Sequence, residues 1–146
     1  MDALVPTWAD LAVVGVRDDD RLRVVAFAHI DPRQMPWLEE FQRRYRPAIN
    51  DAESVMARVV RSRMPELMSP FDPIVIERDV KDPGLRAILR AIGPRVTLFA
   101  PIVRDDDAAP IGVLIAATSS SGRALNADDL ETLTKFARAV GPRLHW

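Results

Sequence analysis

The 146-residue chain contains no cysteine. That absence excludes disulfide bonds, thiolate metal sites, thiol catalysis and thioether-attached chromophores. The chain also has no apolar run near the ~20 residues that a membrane span needs, and no signal peptide. Its 20 basic and 21 acidic residues leave a formal net charge of −1, so no overall field favours nucleic acid or an anionic membrane. We therefore expect a cytoplasmic protein that binds neither.

Length and composition indicate one globular domain over residues 1–146. A chain of this length buries about two-thirds of its unfolded surface, which is enough for a core of its own. Residues 141–146 begin with Gly-Pro, which should end a helix, and we expect them to start a linker or to end an excised piece. Lys81 and Lys135 are the only lysines among the basic residues, a composition that we interpret as that of a GC-rich bacterium.

The most informative segment covers residues 95 to 140. Two apolar runs, VTLFAPIV and IGVLIAAT, flank the charged turn RDDDAAP, a pattern typical of a β-hairpin. Both runs are apolar throughout, so both faces of this hairpin are expected to be covered. A helix should follow, with Asn126 as its cap and Asp129 in its first turn. The apolar residues of that helix recur at helical spacing and should pack on the hairpin: Leu130, Leu133, Phe136, Ala137 and Val140.

A second hairpin is predicted near the start, from ADLAVVGV (9–16), the turn RDDD and RLRVVAFAHI (21–30). Helical spacing predicts one helix in MPWLEEFQRRYR and another that Asp51 should cap. PELMS (65–69) predicts a short strand, and DPGLRAILRAIG a helix with Asp82 as its cap and Pro83 at its first position. The first of these helices carries an apolar stripe that we interpret as core: Trp37, Leu38, Phe41 and Tyr45. The alternative is that the three aromatic residues of this stripe line a ligand cleft. The order β-β-α-α-β-α-β-β-α indicates an α+β fold with a mainly antiparallel sheet.

The order of these elements and five short sequence segments resemble those of the GAF domain, a sensory module of bacterial regulators such as sensor histidine kinases and serine phosphatases. The segments are ADLAVV, VVAFAHID, VTLFAPIV, APIGVLIAAT and, at the last helix, RALNADDLETL. The resemblance extends from Thr7 to Val140. It implies a central antiparallel sheet of five or six strands with helices on both faces. The middle helices should cover one face, and the C-terminal helix with the N-terminal segment should cover the other.

In that family a small molecule sits between the sheet and the middle helices, and its binding alters helix packing at a dimer interface. The resemblance therefore implies a non-catalytic sensory or regulatory domain with an unknown small-molecule ligand and a kinase or phosphatase output domain. From the residues themselves we also expect a homodimer through the terminal helices, because the apolar stripe of residues 127–140 and the terminal Leu144 and Trp146 offer apolar contact surface. The asparagine-lysine-aspartate-glutamate signature of the members that bind cyclic nucleotides is absent. So are the cysteines of the bilin-binding and methionine-sulfoxide-reducing members. The alternative is a ligand-free dimerisation or scaffolding module whose pocket Trp37, Leu38 and Phe41 would fill.

The candidate ligand-binding residues are three polar ones, His29, Ser69 and Thr97, with Phe27 and Phe99 as apolar wall. Strand alternation predicts that Phe27 and His29 share one face, and that Thr97 and Phe99 do as well. The face that each pair takes stays open, because a one-residue error in register would turn it to the opposite side. For His29 we favour the ordinary interpretation, a strand-end histidine bonded to nearby backbone, because no partner motif accompanies it.

The other polar clusters carry no catalytic or metal-binding pattern. The triplets 18–20 and 105–107 of aspartate occupy predicted turns, and their spacing does not match a calcium loop. Asp128 and Asp129 are explained by helix capping and the helix dipole. Residues 119–122, SSSG, lack the spacing and the lysine of a phosphate-binding loop. We therefore predict no catalytic residue, no metal site and no cofactor.

Overall fold

The computed structural model describes residues 9–52, 54–68, 83–92, 96–103, 110–118 and 125–141. Within those ranges five strands and four α-helices follow one another in the predicted order. The strands are β1 (Leu11–Asp18), β2 (Arg21–His29), β3 (Glu66–Met68), β4 (Thr97–Ile102) and β5 (Gly112–Ala117). The helices are α1 (Met35–Arg44), α2 (Val55–Ser62), α3 (Pro83–Ile92) and α4 (Ala127–Val140). A 3-10 turn, Pro32–Gln34, leads into α1.

The strands form one antiparallel sheet in the order β2-β1-β5-β4-β3. Every residue of β4 and β5 is buried, as the unbroken apolar runs predicted. The turn between β1 and β2 is two residues long instead of the predicted four. Asp19 has a φ of 56° there, a left-handed conformation that aspartate tolerates better than most residues. The α+β fold with an antiparallel sheet is therefore confirmed.

The three middle helices cover one face of the sheet. Leu38 and Phe41 of α1, Met56 and Val59 of α2, and Ile88 of α3 belong to one buried cluster. The same cluster includes strand residues from that face of the sheet: Leu11, Val13, Phe99, Val113, Ile115 and Ala117. Because these side chains come from both layers, the helices are held to the sheet mainly by burial of apolar surface.

The last helix covers the opposite face. Leu133 and Ala137 are fully buried, and Leu130 and Phe136 pack beside them. Asn126 accepts hydrogen bonds from the backbone N–H groups of Asp128 (2.9 Å) and Asp129 (3.1 Å). The Asp129 carboxylate accepts one from the Asn126 backbone N–H at 2.9 Å, which completes a reciprocal capping box. The predicted cap and the predicted packing face of this helix are therefore confirmed.

Two details of the middle helices differ from prediction. Ser54, not Asp51, caps α2, and its hydroxyl accepts a hydrogen bond from the Ala57 backbone N–H at 3.2 Å. Asp51 lies earlier, in a turn closed by its own N–H and the Ala48 carbonyl at 3.0 Å. Trp37 does not join the core, because it is 40% exposed. The predicted cap Asp82 and the side chain of Val140 lie outside the described residues.

We predict an unusual titration for Tyr45, the only tyrosine of the chain. Burial raises the pKa of Tyr45 to about 12, although a hydrogen bond with Ser54 acts in the opposite direction. The unfolded chain should lose this proton near pH 10 while the folded chain keeps it, so stability is complete below pH 10 and falls as the pH rises towards 12. The loss should be about 3 kcal/mol. Phenolate absorbance of the native and the denatured protein measures both pKa values directly.

The Tyr45→Phe variant is the control for that titration. It should lose the phenolate signal and the part of the alkaline destabilisation that this group causes. A native phenolate that forms near pH 10 would show that the hydroxyl is accessible to solvent.

Candidate functional site

Four of the five candidate residues lie on one face of the sheet. The strand register forms one row across all five strands: His29, Leu11, Ala117, Thr97 and Met68. It forms a second row beside the first: Phe27, Val13, Ile115, Phe99 and Glu66. Leu11, Val13 and Phe99 belong to the cluster under α1, α2 and α3, so both rows face the middle helices. The fifth candidate, Ser69, lies outside the described residues.

The two polar candidates of the first row are far apart. His29 is on the edge strand β2 and Thr97 is on β4, with β1 and β5 between them. Three strand spacings amount to about 14 Å. The intervening Leu11 and Ala117 are buried in the core. A small ligand can therefore touch the Thr97 end or the His29 end of the row, but not both.

His29 makes the local bond expected of a strand-end histidine. Its Nδ1 accepts a hydrogen bond from the Asp31 backbone N–H at 2.9 Å. In a neutral ring the proton is then on Nε2. Burial lowers the pKa of His29 below its ordinary value, and the carboxylates of Asp31 and Asp10 oppose this shift without reversing it. The imidazole is accordingly neutral at neutral pH.

Thr97 presents a different situation. The residue is only 4% exposed, and its Oγ1 has no hydrogen-bond partner within the described ranges. Leaving a buried hydroxyl unpaired costs about 1–3 kcal/mol. Native proteins pair the large majority of such groups, so each exception calls for an explanation. Thr97 is the most distinctive polar group on this face.

Gln34 is a residue that the sequence reasoning missed. It ends the 3-10 turn that follows β2, and its Oε1 is buried without a hydrogen-bond partner in the part of the chain that the structure describes. No pattern in the sequence marks this residue, because a glutamine before a helix usually lies in solvent. Because Gln34 follows His29 by only five residues, a second neutral polar group lies near that end of β2.

Charge is scarce in these two rows. Glu66 is the one charged member, and the Arg58 guanidinium holds its carboxylate through two hydrogen bonds of 2.7 Å. The described residues contain no group of three or more histidine, cysteine, aspartate or glutamate side chains that could hold a metal ion. No helix in the described part of the chain is long and apolar enough to cross a membrane. The face therefore offers apolar surface and neutral hydrogen-bonding groups.

A five-stranded antiparallel sheet between two layers of helices defines a three-layer α+β domain, and comparison with solved structures identifies its type. The second GAF domain of DevS from Mycobacterium smegmatis superposes with a TM-score of 0.65 at 22% identity, covering 97% of this chain and 84% of that one. A GAF domain/HD domain protein from Geobacter sulfurreducens gives 0.68 at 18% identity, covering 97% and 82%. A domain assigned to a two-component sensor histidine kinase protein from Sinorhizobium meliloti gives 0.61 at 14% identity, covering 97% and 83%.

The chain has the fold of bacterial GAF domains, as the resemblance in sequence predicted. The matches extend over nearly the whole described chain, and the sheet with helices on both faces is the structural core of that fold. No protein-family model and no curated protein sequence matches the chain.

Proposed function

We propose that the chain is a non-catalytic sensory domain of a bacterial signal-transduction protein that binds a small molecule. The observation that carries this proposal is the buried, unpaired Thr97 hydroxyl on the helix-covered face of a GAF fold. The ligand would lie between that face and the middle helices. Phe99 would supply apolar wall beside Thr97, and Ser69 follows Met68, the neighbour of Thr97 on β3. Phe27 and His29 belong to the opposite end of the same face.

The output of such a domain is a shift between two packings of its helices. A ligand that binds one packing more tightly moves the equilibrium towards it by the difference in binding free energy. A difference of a few kcal/mol in the free energy of ligand binding to the two packings is sufficient to shift the equilibrium. We propose a kinase or phosphatase as the output partner, because one structural neighbour is assigned to a sensor histidine kinase protein and another carries an HD domain. We also propose a cytoplasmic location, since a chain without cysteine fits a reducing compartment.

Homodimerisation through the terminal helices stays a prediction. The apolar stripe of α4 that motivated it is used by the domain itself, because Leu133 and Ala137 are fully buried against the sheet. Leu130 and Phe136 are only partly buried and are available to a second copy. The terminal residues Leu144 and Trp146 lie outside the described residues.

A ligand-free scaffolding module is the second candidate function. The observation in its favour is the continuous apolar packing under the middle helices, where Leu38 and Phe41 are buried together with Ile88. Trp37 contributes little to that filling because it is 40% exposed. A scaffold, unlike a sensor, has no use for an unpaired hydroxyl in its core, so we prefer the sensory function.

A thermal-shift screen of nucleotides, oxo-acids and aromatic metabolites tests the proposal. A ligand at a hundredfold excess over its dissociation constant stabilises the fold by about 2.7 kcal/mol. For a chain of this size that corresponds to about 5–10 °C in Tm. His29→Ala then locates the ligand, because a reduced shift places it at the β2 end and an unchanged shift places it at the Thr97 end. Lys135→Ala, on the exposed side of α4, should leave the shift unchanged in either case. A screen without a stabiliser would favour the scaffold.

A further inference from the structure

Thr97 and Thr118 lie at the same end of the sheet, but only the hydroxyl of Thr118 has a hydrogen-bond partner among the described residues. Thr118 follows β5 and is fully buried, and its Oγ1 accepts a hydrogen bond from the Val96 backbone N–H at 3.3 Å. Its own backbone N–H donates to the Val96 carbonyl at 3.0 Å. Thr118 therefore has a structural role that explains its hydroxyl. Thr97, next to Val96 in the chain, has no such partner among the described residues.

The neighbours of Thr97 in the sheet are apolar. Ala117 and Met68 lie opposite it on β5 and β3, and Phe99 follows it on the same face of β4. Beyond Phe99 in the second row, Glu66 is neutralised by Arg58. In the described part of these two rows, no other charged side chain is present to pair with a charged ligand. Burying an ion without a partner is far more costly than burying a neutral polar group that is hydrogen-bonded.

We propose that Thr97 is the polar anchor for an uncharged, mainly apolar small molecule that carries one amide, hydroxyl or ring N–H group. This inference rests on the proposed sensory function and specifies its ligand class. The hydrogen bond would satisfy the Thr97 hydroxyl, which has no partner among the described residues, and Phe99 and Met68 would cover the apolar part of the molecule. Anionic ligands such as carboxylates and phosphates are disfavoured, because the two described rows of the sheet offer them no cationic partner.

Two threonine-to-valine variants test the anchor in the absence of ligand. Thr97→Val replaces an unpaired hydroxyl by a methyl group of similar size, so its Tm should equal or exceed that of the wild-type protein. Thr118→Val removes the acceptor of a buried backbone N–H, so its Tm should fall by several degrees. If Thr97→Val lowers the Tm as much as Thr118→Val does, the Thr97 hydroxyl is paired in solution and the proposal is wrong.

Matched amides and carboxylates then test the ligand class. The probes are benzamide against benzoate and indole-3-carboxamide against indole-3-carboxylate, each measured by thermal shift at millimolar concentration. The amides should stabilise the wild-type protein and Thr118→Val, and this shift should largely disappear in Thr97→Val. Thr97→Ser keeps the hydroxyl and should restore the shift, which separates hydrogen bonding from packing.

Each other outcome contradicts a distinct part of the argument. Carboxylates that stabilise as well as the amides overturn the ligand class, while sensing itself survives. An amide shift of equal size in Thr97→Val overturns the role of Thr97. If neither probe pair shifts the Tm, the proposed class is overturned, and the broader screen described above decides separately whether the domain senses any ligand.

Discussion

Leu133→Asp is expected to leave the chain unfolded. Leu133 is fully buried on α4, in the same cluster as Leu98, Ile102 and Leu114 of the sheet. Truncating a buried leucine costs about 2–5 kcal/mol even without a new polar group. An unpaired carboxylate in the same site adds several kcal/mol more. Together these terms are comparable to the whole stability of a domain, which is about 5–15 kcal/mol.

Thr132→Asp is the matched control for that substitution. Thr132 is the preceding residue of the same helix and is exposed, so the same carboxylate there should change stability by less than about 1 kcal/mol. Phe136→Asp should lie between the two, because Phe136 is only partly buried. Circular dichroism melting curves of the three variants measure the order. A wild-type Tm for Leu133→Asp would mean that α4 does not pack on the sheet.

The exposure of Trp37 shows that helical spacing alone does not predict how wide a stripe of the helix is buried. With 100° between successive residues, Leu38, Phe41 and Tyr45 lie within 60° of one another, whereas Trp37 is about 70° from the centre of that group. A residue at the edge of a stripe is buried only if a neighbouring element extends over it. The spacing predicted the helix and its inner side chains, and the width of the covered stripe depends on the tertiary arrangement.

The cap of α2 could not be chosen from the sequence for a related reason. Asp51 and Ser54 are both good N-cap residue types and both precede the apolar stripe. Asp51 closes a turn with Ala48, so the helix begins only after Ser54. At α4, by contrast, Asn126 has Asp129 three residues later, and the two side chains reinforce each other. That reciprocal pair made the predicted start of α4 dependable.

The candidate site was predictable along each strand but not between strands. Alternation correctly paired Phe27 with His29 and Thr97 with Phe99. The common face of the two pairs depends on the register, and β1 and β2 carry an irregularity between Val14 and Gly15 that breaks simple alternation. The unpaired atoms of Gln34 and Thr97 are likewise invisible in a sequence, because hydrogen-bond satisfaction is a property of the folded arrangement.

Gly112→Ala is expected to destabilise the domain by about 3 kcal/mol, a strong effect for the addition of one methyl group. Gly112 begins β5, the central strand, and it is paired with Val16 on one side and Ile102 on the other. A Cβ at this position would lie 2.2 Å from the Gly15 carbonyl oxygen and 3.2 Å from the Val16 Cα. Both are backbone atoms of β1, so relief requires that two paired strands move apart.

Gly15→Ala provides the matched comparison, because Gly15 lies in β1 at the same end of the same strand pair. Its added Cβ would meet the terminal Cε of Met56 at 2.6 Å, and a flexible methionine end can rotate away. We therefore expect a loss below about 1 kcal/mol for Gly15→Ala. Urea unfolding of the two variants measures the difference. Equal midpoints would mean that β1 and β5 can separate at this end without breaking the sheet.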